Sequence, residues 1–579
     1  MAKHSRKTIG LLVTGVTDAY AEALCRGVTK AANNIRMNVV VVPGKYINRD
    51  TLDLGPLKYE YQYTSLYSYI KETNMDALII SAGSIGAFTS ESKLMEFLAQ
   101  YVHIPIILVS SNYEGFRSVS YDNEVGIRNG LVYMIKELKC KHICMLGGPD
   151  GNTDVLERRN AFIKVMDEYG MELGEYSYIP GLLSGDNREA CTTLIECNPE
   201  MDGVFCVNDY AALSLYEEMK ARDLVPGVDI QIFGYDNTVE GAKADPPLST
   251  ISADPVVLGS KAVSAVLRTL GGEAFTTEKL DAQFVVRRSM GQKVSDDTFD
   301  GQRFLNEMSS DQIFDMVFYR YRRSGQDTAT TSVYSTWTHL IDCFSDLSSI
   351  SISDDAIDDE IRTSYHRFID SGALDYADIN QLLSYFQQLE KTANANKTID
   401  ARERVYRLMQ EFYVDVARRM DTQVGIAREQ QVENVESIKQ FVIDSMAVHS
   451  DDVANYESML ISLNHLGVNN AYMYMLDKPV KYGVGESFAT PESMKLIAAM
   501  TDKNIVKLEA DKEVSIDDLF DNETMKESPH KFVVVPLFVE EVNYGMLVCD
   551  LSDSMYAYEE FLSSHVSNMI GRMVYKADR

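Results

Sequence analysis

The sequence predicts an α/β first half, an all-α middle and a smaller α+β unit at the carboxyl end, and three observations predict it. Between residues 7 and 290, apolar runs ("TIGLLVTG", "MNVVVVPG", "DALIISAG", "IPIILVSS", "HICMLGGP", "GVFCVND", "IQIFGYDN") alternate with amphipathic stretches. From about 300 to 447 such runs vanish, glycine becomes scarce and a 3.6-residue apolar period takes over. From 450 onward mixed structure returns, with "KFVVVPLF" and "YGMLVCDL" flanking the short "VEEVN".

Each element follows from local chemistry. Strands that are apolar throughout, each followed by a helix, indicate parallel sheets covered on both faces. Nearly every run ends in Gly, Ser, Asn or Asp, and in open α/β sheets ligands sit at that carboxyl edge. The basic start "MAKHSRK" before the apolar run 9–13 imitates a secretion signal. The run is only a strand's length, and "EALC" before Arg26 has the wrong residues for a lipoprotein cleavage box, so a buried first strand in a cytoplasmic protein is expected.

In the middle, "SISDDAIDDEI" (351–361) reads as a solvated loop entering a helix. Val405, Leu408, Phe412, Val416, Met420 and Val424 keep one apolar face, continued by Val432, Val435, Ile438, Val442 and Met446 across a break expected near Gly425. Such a face suits the seam of a parallel homodimer or a helical bundle within one subunit. Beyond it come a helix near 456–466, the strand "NAYMYML", an antiparallel hairpin over the last two apolar runs, and a closing helix.

At 579 residues the chain is too long for one core. A net charge of −31 argues against nonspecific binding to nucleic acid or to an anionic membrane. No stretch approaches the ~18 apolar residues of a membrane span. Eight cysteines at unrelated spacings suit reduced core thiols better than a disulfide framework.

Several polar residues fall where strands hand over to helices: Thr17, Asp18 and Tyr20 after the first run, Arg158 in "VLERRNAF", Asn208 and Asp209 in "VFCVND", and Asp236 and Asn237 in "FGYDN". Carboxylates accept hydroxyl hydrogen bonds, a guanidinium donates a planar fork and a phenol offers a flat wall, a set that suits a small polar ligand. The alternative for the Asp and Asn residues is helix capping, favoured for Asp122-Asn123. Cys140-x-His142-x-Cys144 and the His339/Cys343 pair lack the further ligands of a zinc site. "GGPDGN" lacks the Lys-Ser/Thr of a phosphate loop. No catalytic residue, metal or cofactor is expected within the chain.

The motifs "IGLLVTGVTDAYAEALCRGV", "VSYDNEVG", "GGPDG…ERRNAF", "VFCVNDYAAL", "VDIQIFGYDN", "LSTISADPVVLG" and "FVVRRS", in this order, resemble the ligand-binding core of the LacI/GalR family and the related type I periplasmic sugar-binding proteins. The resemblance implies a bilobed type I periplasmic-binding-protein-like fold, two Rossmann-like lobes hinged by three crossovers with a ligand closed between them. The expected domain is 1–298, with lobe one at about 7–140 plus 250–272 and lobe two at about 141–249 plus 280–290. Carried over by motif, Arg158, Asn208 and Asp236 would contact the ligand from lobe two, with Asp18 and Tyr20 facing them from lobe one. The family's usual Gln falls on Ala253, which leaves Asp254 beside it as a candidate contact, and its Asp-Arg pair falls on Ser110-Ser111. Repressors of the family carry a helix-turn-helix before this core. Here only six residues precede the first strand, so direct DNA binding by this chain is not expected.

"LGGEAF" (270–275) is one letter from the GGEEF loop of diguanylate cyclases, but in this setting it is the end of the core's last helix, closed by Gly271. After a helical connector (299–447), residues 448–579 resemble a GAF domain in strand order. The expected protein is a cytoplasmic, homodimeric ligand sensor with a sugar-like or nucleoside-like ligand, and such arrangements often precede a cyclase domain. A regulatory portion of a diguanylate cyclase is the leading expectation for output. The alternatives are a complete regulator acting through a protein partner, or a transcriptional regulator whose DNA-binding domain lies outside this chain.

Overall fold

The structure, a computed structural model, describes residues 6–49, 55–149, 152–183, 185–274, 277–291, 327–346, 355–375, 379–394, 399–446, 453–509, 512–525 and 530–577, with 314, 317, 318 and 377. The expected boundaries at 298 and 447 and the start of the acidic loop (351–354) lie outside them.

The apolar runs form strands as expected. In lobe one β1 (Thr8–Val13), β2 (Asn38–Pro43), β3 (Ala77–Ile80), β4 (Ile106–Val109) and β5 (Arg117–Asp122) are parallel in the order β5-β4-β3-β1-β2. In lobe two β6 (Ile143–Leu146), β7 (Tyr178–Ile179), β8 (Gly203–Cys206), β9 (Gln231–Tyr235) and β10 (Ser249–Ser252) run parallel as β10-β9-β8-β6-β7. The run "LDAQFVV" is divided between two strands. β11 (Thr277–Asp281) pairs with β5 in lobe one, and β12 (Gln283–Val285) pairs antiparallel with β10 in lobe two. The chain therefore crosses between lobes at 122–123, 252–255 and 281–283.

Two helices flank the hinge. Helix α1 (Asn123–Lys136), placed with lobe one by the sequence, packs on β10, β12 and the 153–168 helix of lobe two. Its Gly126 and Gly130 admit Ile251 and Phe233 where a Cβ would collide. Helix α2 (Pro255–Leu270) lies on lobe one against the Ala19–Asn34 helix, β3, β4 and β5. It ends at Gly271, but the left-handed residue is Gly272, with φ +81°.

The middle segment packs as a bundle. The 327–346, 355–370 and 379–394 helices close around Trp337, Phe368, Phe386 and Phe412. The last of these is on α3 (Ile399–Ser445), 47 residues that run unbroken through Gly425. The expected break is absent because both ends are anchored: Leu408, Phe412 and Val416 in the bundle, and Phe441 on the carboxy-terminal unit. That anchoring outweighs the ~1 kcal/mol cost of one helical glycine.

The carboxy-terminal unit has six strands: β13 (Ala471–Lys481), β14 (Ser493–Thr501), β15 (Asn504–Ile505), β16 (Glu513–Ser515), β17 (Lys531–Val539) and β18 (Val542–Cys549), paired antiparallel as β17-β18-β13-β14 with β15 and β16 on β14. Its outer strand β17 also pairs, in parallel, with β2: Lys531 opposite Val39, Phe532 opposite Val40 and Val533 opposite Val41. Lobe one and this unit thus share one 12-stranded sheet. One face of it is a continuous core from Ile80 and Leu108 through Val40 and Val42 to Val534, Val548 and Tyr472.

The junction is also polar. Tyr61 and Tyr482 donate to each other's carbonyls at 3.0 and 3.2 Å. Lys45, buried at the end of β2, pairs with Glu560 at the start of the terminal helix α4 (Glu559–Ala577). Beside it Glu559 is fully buried, and burial pushes its carboxyl up to about 8 against the pull of Lys45, with Glu560 adding to the rise.

Candidate functional site

The carboxyl ends of both parallel sheets meet at the cleft between the lobes. From lobe one, the loop after β1 supplies Asp18 and Tyr20. Asp18 is exposed and caps the next helix, its Oδ1 accepting the Ala21 N–H at 2.9 Å. The Tyr20 hydroxyl lies 2.6 Å from Ser110 Oγ, so one of the serines replacing the family's Asp-Arg pair holds this ring. Burial pushes the Tyr20 phenol up to about 12, with Asp154 of lobe two and Asp18 of lobe one both adding to the rise. The two walls therefore lie within electrostatic reach of each other.

From lobe two the centre is Arg158. Its guanidinium carbon stands 3.6 Å from the centroid of the Tyr235 ring. Nη1 donates to the Val207 carbonyl at 2.6 Å, and Nη2 is 3.8 Å from Asp236 Oδ1. Nε is buried with no hydrogen-bond partner among the described residues. Asp236 holds a φ of +102°, uncommon for a residue with a Cβ, directly after β9. Desolvation at the cleft floor pushes its carboxyl up to about 6, Arg158 opposing and Asp154 adding, while 43% of its side chain still faces open space. Tyr210, also exposed, feels the carboxylates of Asp236 and Asp18 from opposite walls.

The other two expected contacts are committed elsewhere. Asn208 Oδ1 accepts the Ala211 N–H at 2.9 Å and its Nδ2 donates to the Leu183 carbonyl at 2.8 Å, so both ends of the amide are engaged inside lobe two. Asp254 caps α2 through the Val256 N–H at 2.9 Å, and its carbonyl accepts the Tyr121 hydroxyl at 2.9 Å on the hinge. The structure thus joins Arg158 and Asp236, sets Asp18 and Tyr20 opposite, and ties Asn208 and Asp254 into caps.

Asp209 is structural. Fully buried, it accepts from Thr250 Oγ1 at 2.6 Å and from the Thr238 N–H at 2.7 Å, clamping β10 to the loop that presents Asp236. Burial, with Asp236 adding, pushes its carboxyl up to about 7. Arg287 of "FVVRRS" is buried too and donates to Asn237 Oδ1 at 2.8 Å, bracing the same loop from the other side.

Sequence reasoning missed Tyr235 and Asp154. Both had a signal: Tyr235 precedes Asp236, and Asp154 lies one helical turn before Arg158 on the same helix. Among the described residues no group of three or more His, Cys, Asp or Glu is arranged to hold a metal, and no helix is long and apolar enough to cross a membrane.

Two lobes, three crossovers and a polar cleft define a bilobed α/β domain of the periplasmic-binding-protein-like class. Residues 132–290 match the family described as periplasmic binding protein-like domain. Among similar proteins, the ribose operon repressor of Bacillus subtilis is 26% identical over 266 residues, 46% of this chain and 74% of the repressor. The HTH-type transcriptional repressor PurR of Photobacterium profundum is 23% identical over 292 residues, 50% of this chain and 82% of PurR. A solved lac repressor bound to ONPG aligns at 19% identity with a TM-score of 0.42, over 49% of this chain and 82% of that one.

The two aspartates should separate by experiment. Asp209→Ala strands the Thr238 N–H and Thr250 hydroxyl and should cost about 3 kcal/mol in urea unfolding. Asp236→Ala, half open to the cleft, should change stability by less than ~1 kcal/mol.

Proposed function

We propose that the chain is a ligand-sensing regulator, cytoplasmic and homodimeric, in which a small polar molecule binds between the lobes and lobe closure drives the output. The observation that carries this reading is the Arg158 fork, laid flat on Tyr235 beside Asp236 and faced by Tyr20 and Asp18 across a three-crossover hinge. Asp18, Asp154 and Asp236 outnumber Arg158, so neutral polyhydroxylated or cationic ligands are favoured over phosphorylated or carboxylated ones. Closure reaches the six-stranded unit, read as a GAF-like relay, through β2 and β17 directly, and the helical segment adds a second connection. A ligand shifts this equilibrium only by binding the closed state more tightly than the open one.

For output, the matched relatives named as transcriptional repressors favour gene control over nucleotide cyclisation, and the cyclase reading gains no support from them. A body of net charge −31 is poorly suited to touching DNA itself, so that contact is assigned to a part outside it or to a partner.

A thermal-shift screen with pentoses, hexoses, disaccharides, nucleobases and nucleosides tests the binding. A ligand at ~100 times its Kd should stabilise by about 2.7 kcal/mol. Arg158→Ala and Asp236→Ala should abolish the shift, and a shift that survives both places the site elsewhere. Affinity should also depend on pH. Ligand hydroxyls need the ionised Asp236, and with its carboxyl near 6 the ionised fraction falls as pH drops. Between pH 7 and 5 the Kd should weaken up to about tenfold, and Asp236→Asn should flatten that profile, by calorimetric titration.

A further inference from the structure

Helix α3 carries a second apolar face. One face, through Leu408, Phe412, Val416 and Phe441, is buried in the chain's own cores. The exposed large apolar residues are not scattered over the remainder. At ~100° per residue, Tyr406, Val414, Val424, Val432, Val435 and Ile443 share an arc of about 100° away from the buried face. They are 44% to 64% exposed, and among the helix's described residues Ile426 alone of the exposed large apolar ones lies off the stripe. The stripe is ~55 Å long at 1.5 Å per residue. A patch of this size on a soluble protein marks an interaction surface.

The stripe is also its own complement. Four pairs of positions equally far from the point between Val424 and Gly425 match in kind: Tyr406 with Ile443, Val414 with Val435, Ala417 with Val432, and Asp421 with Arg428, while Gln410 falls opposite Lys439 and Arg407 opposite Val442. Two copies crossed about a two-fold axis at that point bring each residue against its counterpart, apolar on apolar, with Asp421 meeting Arg428 twice. Gly425 sits on the axis, where a Cβ would meet nothing within 4 Å of its own chain, and its missing side chain lets the backbones approach. A parallel pair would instead oppose Asp421 to Asp421, Arg428 to Arg428 and Lys439 to Lys439, and charge placement of this kind sets orientation in paired helices.

We propose that this stripe is the seam of the homodimer, with the two 399–445 helices antiparallel about an axis at Val424–Gly425. A strip ~10 Å wide buries ~1,100 Å² over both copies, enough for a specific interface. The inference deepens the homodimer named above, corrects its expected parallel sense, and does not depend on what the cleft binds.

Sedimentation of the full chain at micromolar concentration tests it, in a Cys197→Ser background because Cys197 is exposed. The expected mass is that of two chains rather than the 65.1 kDa of one. Val424→Glu with Val432→Glu, both at exposed positions, should return the single-chain mass. Asp421→Arg should weaken dimerisation about tenfold, and adding Arg428→Asp should restore it. A chain carrying Val414→Cys and Val435→Cys should form a disulfide-linked dimer that neither substitution gives alone. A single-chain mass for the unsubstituted protein at ~100 times that concentration overturns both seam and homodimer. A dimer indifferent to the glutamates keeps the homodimer and overturns the seam, and cross-linking through Val414→Cys alone overturns the antiparallel register.

Discussion

The parallel pairing of β17 with β2 is the constraint on which the rest of the architecture depends. β2 is valine through its middle and buried on both faces, and without a neighbour it would leave lobe one with a long apolar edge. The carboxy-terminal strand covers that edge. The Val39 N–H donates to the His530 carbonyl at 3.0 Å, and on one face of the sheet a shared apolar core continues across the junction. Parallel strands need a crossover between them. Here the crossover is nearly the whole chain: the rest of lobe one, lobe two, the bundle, α3 and four strands of the carboxy-terminal unit.

This arrangement sets how a closing cleft could act at a distance. The loop after β1 supplies Asp18 to the cleft, Tyr46 in the loop after β2 feels the Asp18 carboxylate, and Lys45 at the end of β2 is buried against the first residues of α4. One strand and one ion pair therefore connect lobe one to the start of the terminal helix. Glu559, fully buried beside that pair, makes the junction sensitive to its spacing, because a buried carboxyl depends steeply on the distance to a neighbouring cation, here Lys45.

Much of this was legible in the residues. The seven apolar runs became strands because four to six consecutive apolar residues, each ending in a turn former and followed by an amphipathic stretch, have few other stable uses. Arg158 and Asp236 were readable by motif as cleft residues of lobe two, though not as a pair. What failed to show was long-range. Nothing in "NVVVV" or "KFVVV" says that two strands almost five hundred residues apart will pair, since any buried valine run satisfies the same pattern. Helix α1 was assigned to the wrong lobe because the hinge lies inside a strand-to-helix turn with no glycine or proline to mark it. Asn208 could not be told from a ligand contact, because the amide that caps a helix and the amide that greets a ligand occupy the same place in the sequence. The face of α3 was read as one stripe where there are two, since the periodicity of either explains much of the pattern.

The central claim is that the cleft and the carboxy-terminal unit are one mechanical system. Hydrogen exchange of the full chain, with and without a ligand found by the screen, tests it most directly. The account predicts slowed exchange around Arg158 and Asp236 together with changed exchange in Lys531–Val533 and the first turn of α4. Protection confined to the two lobes, with those amides unchanged, would contradict it.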